Sequence, residues 1–279
     1  MLVLGVLAFS QPKPLVAEWV QKDVDAAKLV GPLVRERPIK PASIAKLINS
    51  RNYHDVENLG FGAGKIEESQ GFGYSTIRVS ALIFRDSIVR YQISFQSWSS
   101  WSRVREQVLR AWEASVPKPY TEIRDGLTID IKDDAVLDAY KKTVAKELGE
   151  LKEIRVPTHL QGDYEYLVSP FENSVVGLYG CGVAGVVPLG KDSVDSIQTA
   201  GNSIGLLENV LRGYNPGGRI YSLITLRHLK RRGAVFSQGI EGTMEKLLTS
   251  DLLVSACFGG TIHRLNAKEI IDRVENSEK

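Results

Sequence analysis

The chain is poor in the residues that build metal sites, with two cysteines and four histidines among 279 residues. No histidine lies at close spacing to another histidine or to a cysteine, as zinc sites require, so the sequence predicts no bound metal. Charge of one sign is also lacking, because the formal net charge is only +2. Nucleic-acid-binding domains usually have a strongly basic footprint. The expected partner is therefore a protein or a small molecule rather than nucleic acid.

Long apolar runs are missing as well. Residues 2–9 are apolar, but a transmembrane helix needs about 20 such residues, so no transmembrane segment is predicted. This run and the prolines after it are typical of a secretory signal, although a positive start and a small-residue cleavage site are absent. Two interpretations stay open. Residues 1–14 are either a weak signal-like segment of a secreted or periplasmic protein, or a buried element of a cytoplasmic one.

The two cysteines, Cys181 and Cys257, follow the same alternatives. In a reducing compartment they would be small buried hydrophobic residues. In an oxidising compartment they could form one disulfide, closing a loop of about 76 residues and stabilising the fold by about 3–4 kcal/mol.

What the chain does contain is an ordinary globular composition, with 43% hydrophobic and 24% charged residues, typical of a soluble protein with a sizeable core. Alternating apolar residues over 76–84 and 88–95 predict a β-hairpin, and 164–169 with 174–179 predict a second one. The glycine-rich stretch 59–73 is interpreted as a flexible loop. Helical spacing predicts the helices listed last: 15–33, 42–52, 101–115, 133–148, 195–211, 217–232, 238–249 and 266–274.

These elements predict an α+β fold. Mixed strands, including the two hairpins, and helices fill the N-terminal two thirds, and a helical module forms the C-terminal end. The predicted division is an α+β domain over 15–190 and a helical module over 191–279, which is either separate or part of the same domain.

Gly180, Gly182 and Gly185 spell G-x-G-x-x-G, a pattern found in dinucleotide-binding folds. That fold needs a helix directly after the glycines and an acidic residue about 20 positions later. Pro188 stands where the helix should run, and residues 200–206 contain no acid. The sequence therefore predicts a tight turn at this place and no cofactor.

Ser43 and Lys46 form Ser-x-x-Lys at a helix start, which would place the hydroxyl and the amine one turn apart. The pattern resembles the first motif of the penicillin-recognising serine enzymes. The resemblance covers about six residues, and no Lys-Thr-Gly triplet follows. It marks Ser43 and Lys46 as catalytic candidates. A separate catalytic candidate is His159, which lies with Asp163 and Tyr164 on a predicted polar loop.

A basic run near the end of a predicted helix is the candidate anion-binding site, formed by Arg227, Lys230, Arg231 and Arg232. Positive charge at a helix C-terminus also compensates the macrodipole, which is the ordinary reason for such a run. Because no catalytic constellation is evident, the leading hypothesis is a non-catalytic binding or interaction protein. The alternative is a hydrolase or transferase whose site is not readable from spacing.

Overall fold

The computed structural model describes residues 14–35, 41–42, 57–97, 102–116, 118, 120–123, 126–172, 175–178, 180–181 and 185–277. Over these residues the fold is α+β, as predicted, with nine α-helices, a six-stranded antiparallel sheet and a small three-stranded sheet. None of the helices described has the length and the apolar character needed to cross a bilayer.

The chain divides into two compact units. The first comprises Met1–Asp55, Ile66–Ala81 and Asp86–Lys132, and the second comprises Val56–Lys65, Leu82–Arg85 and Asp133–Lys279. The helical module over residues 191–279, either separate or part of the same domain, stays a prediction.

The large sheet has the strand order β1-β2-β3-β4-β6-β5. Its strands are β1 (Glu57–Gly60), β2 (Ala63–Gly71), β3 (Ser75–Phe84), β4 (Ser87–Ser97), β5 (Thr121–Ile123) and β6 (Gly126–Lys132). The predicted hairpin is confirmed as β3 and β4, and the alternating residues of both strands are buried on one face. The pairing of β4 with β6 places Tyr91 opposite Ile131 and Phe95 opposite Leu127.

The first unit also contains α1 (Pro14–Arg35) and α2 (Ser102–Ser115), both close to their predicted ranges. In α2 the residues Val104, Val108 and Trp112 are buried, as their helical spacing predicts. The Trp112 ring stacks on Phe95 of β4 with the centroids 3.9 Å apart. This contact packs the amphipathic helix against the buried side of the large sheet.

The second unit contains the remaining helices: α3 (Asp134–Leu148), α4 (Gln161–Val168), α5 (Leu189–Gln198), α6 (Ser203–Arg212), α7 (Pro216–Arg231), α8 (Ile240–Thr249) and α9 (Ala267–Ser277). The start of α3 is set by Asp133, whose carboxylate accepts the N–H groups of Ala135 and Val136. The small sheet has the order β7-β8-β9, with β7 (Val176–Gly177) parallel to β8 (Leu253–Phe258) and β9 (Thr261–Asn266) antiparallel to β8.

Three local predictions are wrong. Residues 164–169 belong to helix α4 rather than to a strand, so the second predicted hairpin does not form. The predicted loop 59–73 is instead the hairpin of β1 and β2. Its turn residues Phe61 and Gly62 both have positive φ, +55° and +79°, which is the geometry of a tight two-residue hairpin turn. The predicted helix 195–211 is two helices, α5 and α6, broken at residues 199–202.

The C-terminal end is helical but also contains the hairpin of β8 and β9. Gly259 and Gly260 have φ of +57° and +82°, so this turn is again a tight one that glycine makes without strain. The predicted helix 42–52 lies outside the described residues beyond position 42.

Candidate functional site

Cys181 and Cys257 form a pair at disulfide distance, with the two sulfur atoms 2.12 Å apart and the Cα atoms 5.9 Å apart. Cys257 lies in β8, the central strand of the small sheet, opposite Gly177 of β7 and Ile262 of β9. The backbone N–H of Cys181 donates to the carbonyl oxygen of Val186 at 2.8 Å. The cysteine pair therefore holds the segment around Cys181 and Val186 against the small sheet.

Three large apolar side chains remain exposed around this pair, and we refer to them as the apolar face: Val186 is 65% exposed, Leu189 65% and Ile262 58%. Val186 pairs with Cys181 and Ile262 pairs with Cys257. Leu189 follows Pro188, whose ring lies so close to Gly177 that a Cβ there would be 2.9 Å from it. All three residues are thus held near the cysteine pair through their neighbours in the chain or in the sheet. Val235, which is 86% exposed, lies instead in the turn between α7 and α8.

One residue of the apolar face, Ile262, lies on a strand at the edge of the small sheet. Among the strands of the described residues, β9 is the last in the order β7-β8-β9, so alternate backbone N–H and C=O groups of β9 point away from β8. Such an edge is a template for pairing with an additional strand. Ile262 near the start of β9 places exposed apolar surface directly on this edge.

A polar cluster of Lys152, Glu208 and Ser237, called the Ser237 cluster below, lies elsewhere in the second unit. Glu208 of α6 is buried, and its carboxylate accepts the N–H of Ser237 at 2.7 Å and also the Ser237 hydroxyl. Lys152 Nζ donates to Ser237 Oγ at 3.1 Å and lies 3.7 Å from Glu208 Oε2. Ser237 is half-buried and Lys152 is exposed, so solvent reaches the cluster.

Asn209 holds the backbone of Lys152 in place within this cluster. Its side-chain oxygen accepts the Lys152 N–H at 2.9 Å, and its amide donates to the Lys152 carbonyl at 2.7 Å. Asn209 also forms a hydrogen bond with Tyr164, and burial raises the pKa of the Tyr164 hydroxyl above its usual value. The two hydrogen bonds from Asn209 therefore fix the backbone of Lys152, from which its side chain reaches Ser237.

Arg219 of α7 is a fully buried cation. Its Nε donates to the Gly213 carbonyl at 2.7 Å, its Nη2 donates to the Tyr140 hydroxyl at 3.2 Å, and the Phe61 ring lies 5.0 Å from Cζ. Nη1 has no hydrogen-bond partner among the described residues. The guanidinium thus joins α7 to α3 and to the β1–β2 turn.

Of the predicted catalytic residues, Ser43 and Lys46 lie outside the described residues. His159 is exposed in a short 3₁₀ turn, Thr158–Leu160, ahead of α4. Tyr164 of α4 forms a hydrogen bond with Asn209. Catalysis by these residues stays a prediction.

The predicted anion-binding residues lie at the C-terminal end of α7, and two of them pair with carboxylates of neighbouring helices. Arg227 donates to Glu275 at 3.1 and 2.9 Å, and Lys230 lies 2.8 Å from Glu241. Arg227, Lys230 and Arg231 line a groove of about 630 Å³ together with these acids. Arg232 caps α7, with its N–H bonded to the Leu229 and Lys230 carbonyls. Anion binding by this run stays a prediction, in competition with the acids present.

Within the described part of the chain, no group of three or more His, Cys, Asp or Glu side chains is arranged to hold a metal ion. Comparison with known proteins found no matching family model, no matching curated protein and no matching solved structure.

Sequence reasoning missed the apolar face and the Ser237 cluster. Lys152 and Ser237 are 85 positions apart, and Glu208 and Ser237 are 29 apart, so no spacing rule connects them. A signal for the apolar face was present only indirectly, since a disulfide between Cys181 and Cys257 would bring their sequence neighbours together.

Proposed function

We propose that this chain is a binding protein that captures an extended, apolar-rich segment of a partner protein along the edge strand β9. The observation that supports the proposal is the position of Ile262, an exposed residue of the apolar face, on the edge strand β9. Addition of a strand at such an edge supplies main-chain hydrogen bonds, and alternate side chains of the added strand contact apolar surface on one side. Several exposed apolar side chains gathered around one cysteine pair favour an interaction site more than single scattered ones do.

Peptide selection on the full chain tests this proposal. A display library of random peptides is selected on the immobilised protein, and binding of the enriched peptides is measured by fluorescence anisotropy. We expect peptides with alternating apolar residues. Ile262→Lys should weaken their binding by about tenfold or more, because losing an apolar contact worth about 1.4 kcal/mol changes the dissociation constant tenfold.

Val235→Lys is the matched control, because it introduces the same charge at an exposed apolar residue outside the apolar face. It should leave peptide binding unchanged. The proposal is wrong if the two lysine variants weaken binding equally, or if the selected peptides show no apolar alternation.

We further propose that the protein works in an oxidising compartment, secreted or periplasmic. The pair Cys181 and Cys257 at disulfide distance supports this, since disulfides persist in such compartments and are rare in the cytosol. Intact mass and thiol counting on protein from a host able to export it provide the test. We expect the N-terminal segment to be absent and the mass of the remaining chain to be two hydrogen atoms lower than that of the chain with two free thiols. An uncut chain with two free thiols would favour a cytoplasmic protein instead.

The alternative prediction, a hydrolase or transferase, gains a specific observation from the Ser237 cluster rather than from Ser43 and Lys46. The cluster has a hydroxyl within hydrogen-bond reach of both a carboxylate and an amine, which is the arrangement that activates a nucleophile.

A further inference from the structure

We propose that Ser237 is a nucleophile for small activated acyl esters, with Glu208 as its general base and Lys152 as the cation beside the reacting oxygen. This activity is independent of peptide capture at β9.

The hydrogen bonds of the cluster orient the serine for proton transfer. The Ser237 hydroxyl donates to Glu208 Oε2, while the other carboxylate oxygen is held by the Ser237 N–H at 2.7 Å. A general base has to be within hydrogen-bond reach of the proton it removes. Because Glu208 is fixed by two bonds to the same residue, the acceptor stays aligned with Oγ.

Lys152 supplies positive charge where negative charge develops. Its Nζ lies 3.1 Å from Ser237 Oγ, close enough to stabilise the oxygen as it loses its proton. It lies 3.7 Å from Glu208 Oε2, so the carboxylate is balanced by a cation before the reaction begins. The exposure of Lys152 leaves the cluster open to a small ester from solvent.

The proposed reaction needs only the ester and water. Ser237 Oγ attacks the carbonyl carbon, its proton passes to Glu208, and the carbonyl π pair moves onto oxygen. When the intermediate collapses, the bond to the leaving alkoxide breaks and the leaving group takes the proton from Glu208. Water then attacks the acyl-serine and gives its proton to Glu208, the bond between carbon and Oγ breaks, and Oγ recovers the proton.

A fluorophosphonate probe tests the nucleophile directly, because Oγ forms a bond to phosphorus while fluoride leaves. The full-length protein is treated with the probe, and labelled peptides are identified by mass spectrometry. We expect Ser237 to be labelled, and Ser237→Ala to remove the label. Glu208→Gln should slow labelling by about 100-fold, within the usual contribution of general-base catalysis.

Ser250 is the internal control, because it is also half-buried but donates its hydroxyl to the Leu247 carbonyl. Ser250→Ala should leave labelling of Ser237 unchanged. Circular dichroism establishes that each variant is folded. Should Glu208→Gln fail to fold, Lys152→Met at an exposed position provides the second variant, with an expected loss of about tenfold.

Labelling of Ser237 no faster than that of Ser250 in the folded wild-type protein would overturn the proposal. The hydrogen bonds of the cluster would then have only a structural role, which is to hold the loop before α8 against α6. Hydrolysis of p-nitrophenyl acetate that is equal in the wild type and in Ser237→Ala would overturn it equally.

Discussion

At the residue scale, Tyr221 of α7 shows how one hydroxyl holds two elements together. Its oxygen accepts the N–H of Gly177 in β7 at 2.8 Å and donates to the carbonyl of the same residue at 3.0 Å. Burial raises the pKa of this hydroxyl well above its usual value, so it remains protonated and able to donate.

Tyr221→Phe should therefore lower the free energy of unfolding by about 1–3 kcal/mol, the cost of leaving buried polar groups without a partner. Urea titration of the wild type and the variant measures the change. Tyr120→Phe is the control, since it removes the same hydroxyl from a half-buried tyrosine that contacts Lys118 through its ring. Equal losses in the two variants would contradict the assigned role of Tyr221.

Two helical glycines make a second residue-scale pair. A Cβ on Gly218 of α7 would lie 1.9 Å from the Leu167 carbonyl oxygen, whereas a Cβ on Gly242 of α8 would have no neighbour within 4 Å. Gly218→Ala should destabilise the fold by about 3 kcal/mol, because backbone has to move. Gly242→Ala should stabilise it by about 0.5–1 kcal/mol, because alanine favours the helix. Thermal unfolding of each variant measures the change in melting temperature. If both substitutions shift the melting temperature in the same direction, this explanation of the packing is wrong.

At the element scale, α1 is attached to the start of β3 through a buried carboxylate. Asp23 accepts the N–H of Tyr74 at 2.6 Å and the hydroxyl of Ser75. Burial raises the pKa of Asp23, and these hydrogen bonds offset that rise only in part.

Because the pKa is higher in the folded than in the unfolded protein, the folded state binds the proton more tightly. The stability that this carboxyl contributes is greatest below its unfolded pKa of about 4 and is lost as pH rises through the folded value. Asp23→Asn should remove this part of the pH dependence. Urea midpoints measured from about pH 3 to about pH 7 would show a flatter profile for the variant. Superimposable profiles would contradict the assignment.

At the scale of the whole molecule, a disulfide between Cys181 and Cys257 joins positions 76 apart. Reduction should lower the free energy of unfolding by about 4 kcal/mol, because the unfolded chain regains the freedom of the closed loop. Guanidinium unfolding with and without a reductant measures it. The double variant Cys181→Ser with Cys257→Ser should not respond to the reductant. If the reductant also leaves the unfolding free energy of the wild-type protein unchanged, the disulfide does not form.

Prediction from sequence succeeded where structure depends on near neighbours. The hairpin of β3 and β4 follows from strict alternation, and α3 follows from an aspartate cap, an apolar stripe and a terminal glycine. It was wrong for residues 164–169, because a segment this short that is rich in tyrosine and aliphatic residues is compatible with a strand or a helix. It was also wrong for residues 59–73, where glycines that suggest flexibility instead permit a tight turn.

The sequence by itself determined the α+β class, the main hairpin and most of the helices, because periodicity and capping act over a few residues. Only the tertiary structure decided which side chains meet: Ser237 with Glu208 and Lys152, and Val186, Leu189 and Ile262 around one cysteine pair. The physical reason is that such contacts join residues tens of positions apart through packing. Local spacing carries no record of packing partners, so candidate sites that depend on them become visible only in the folded chain.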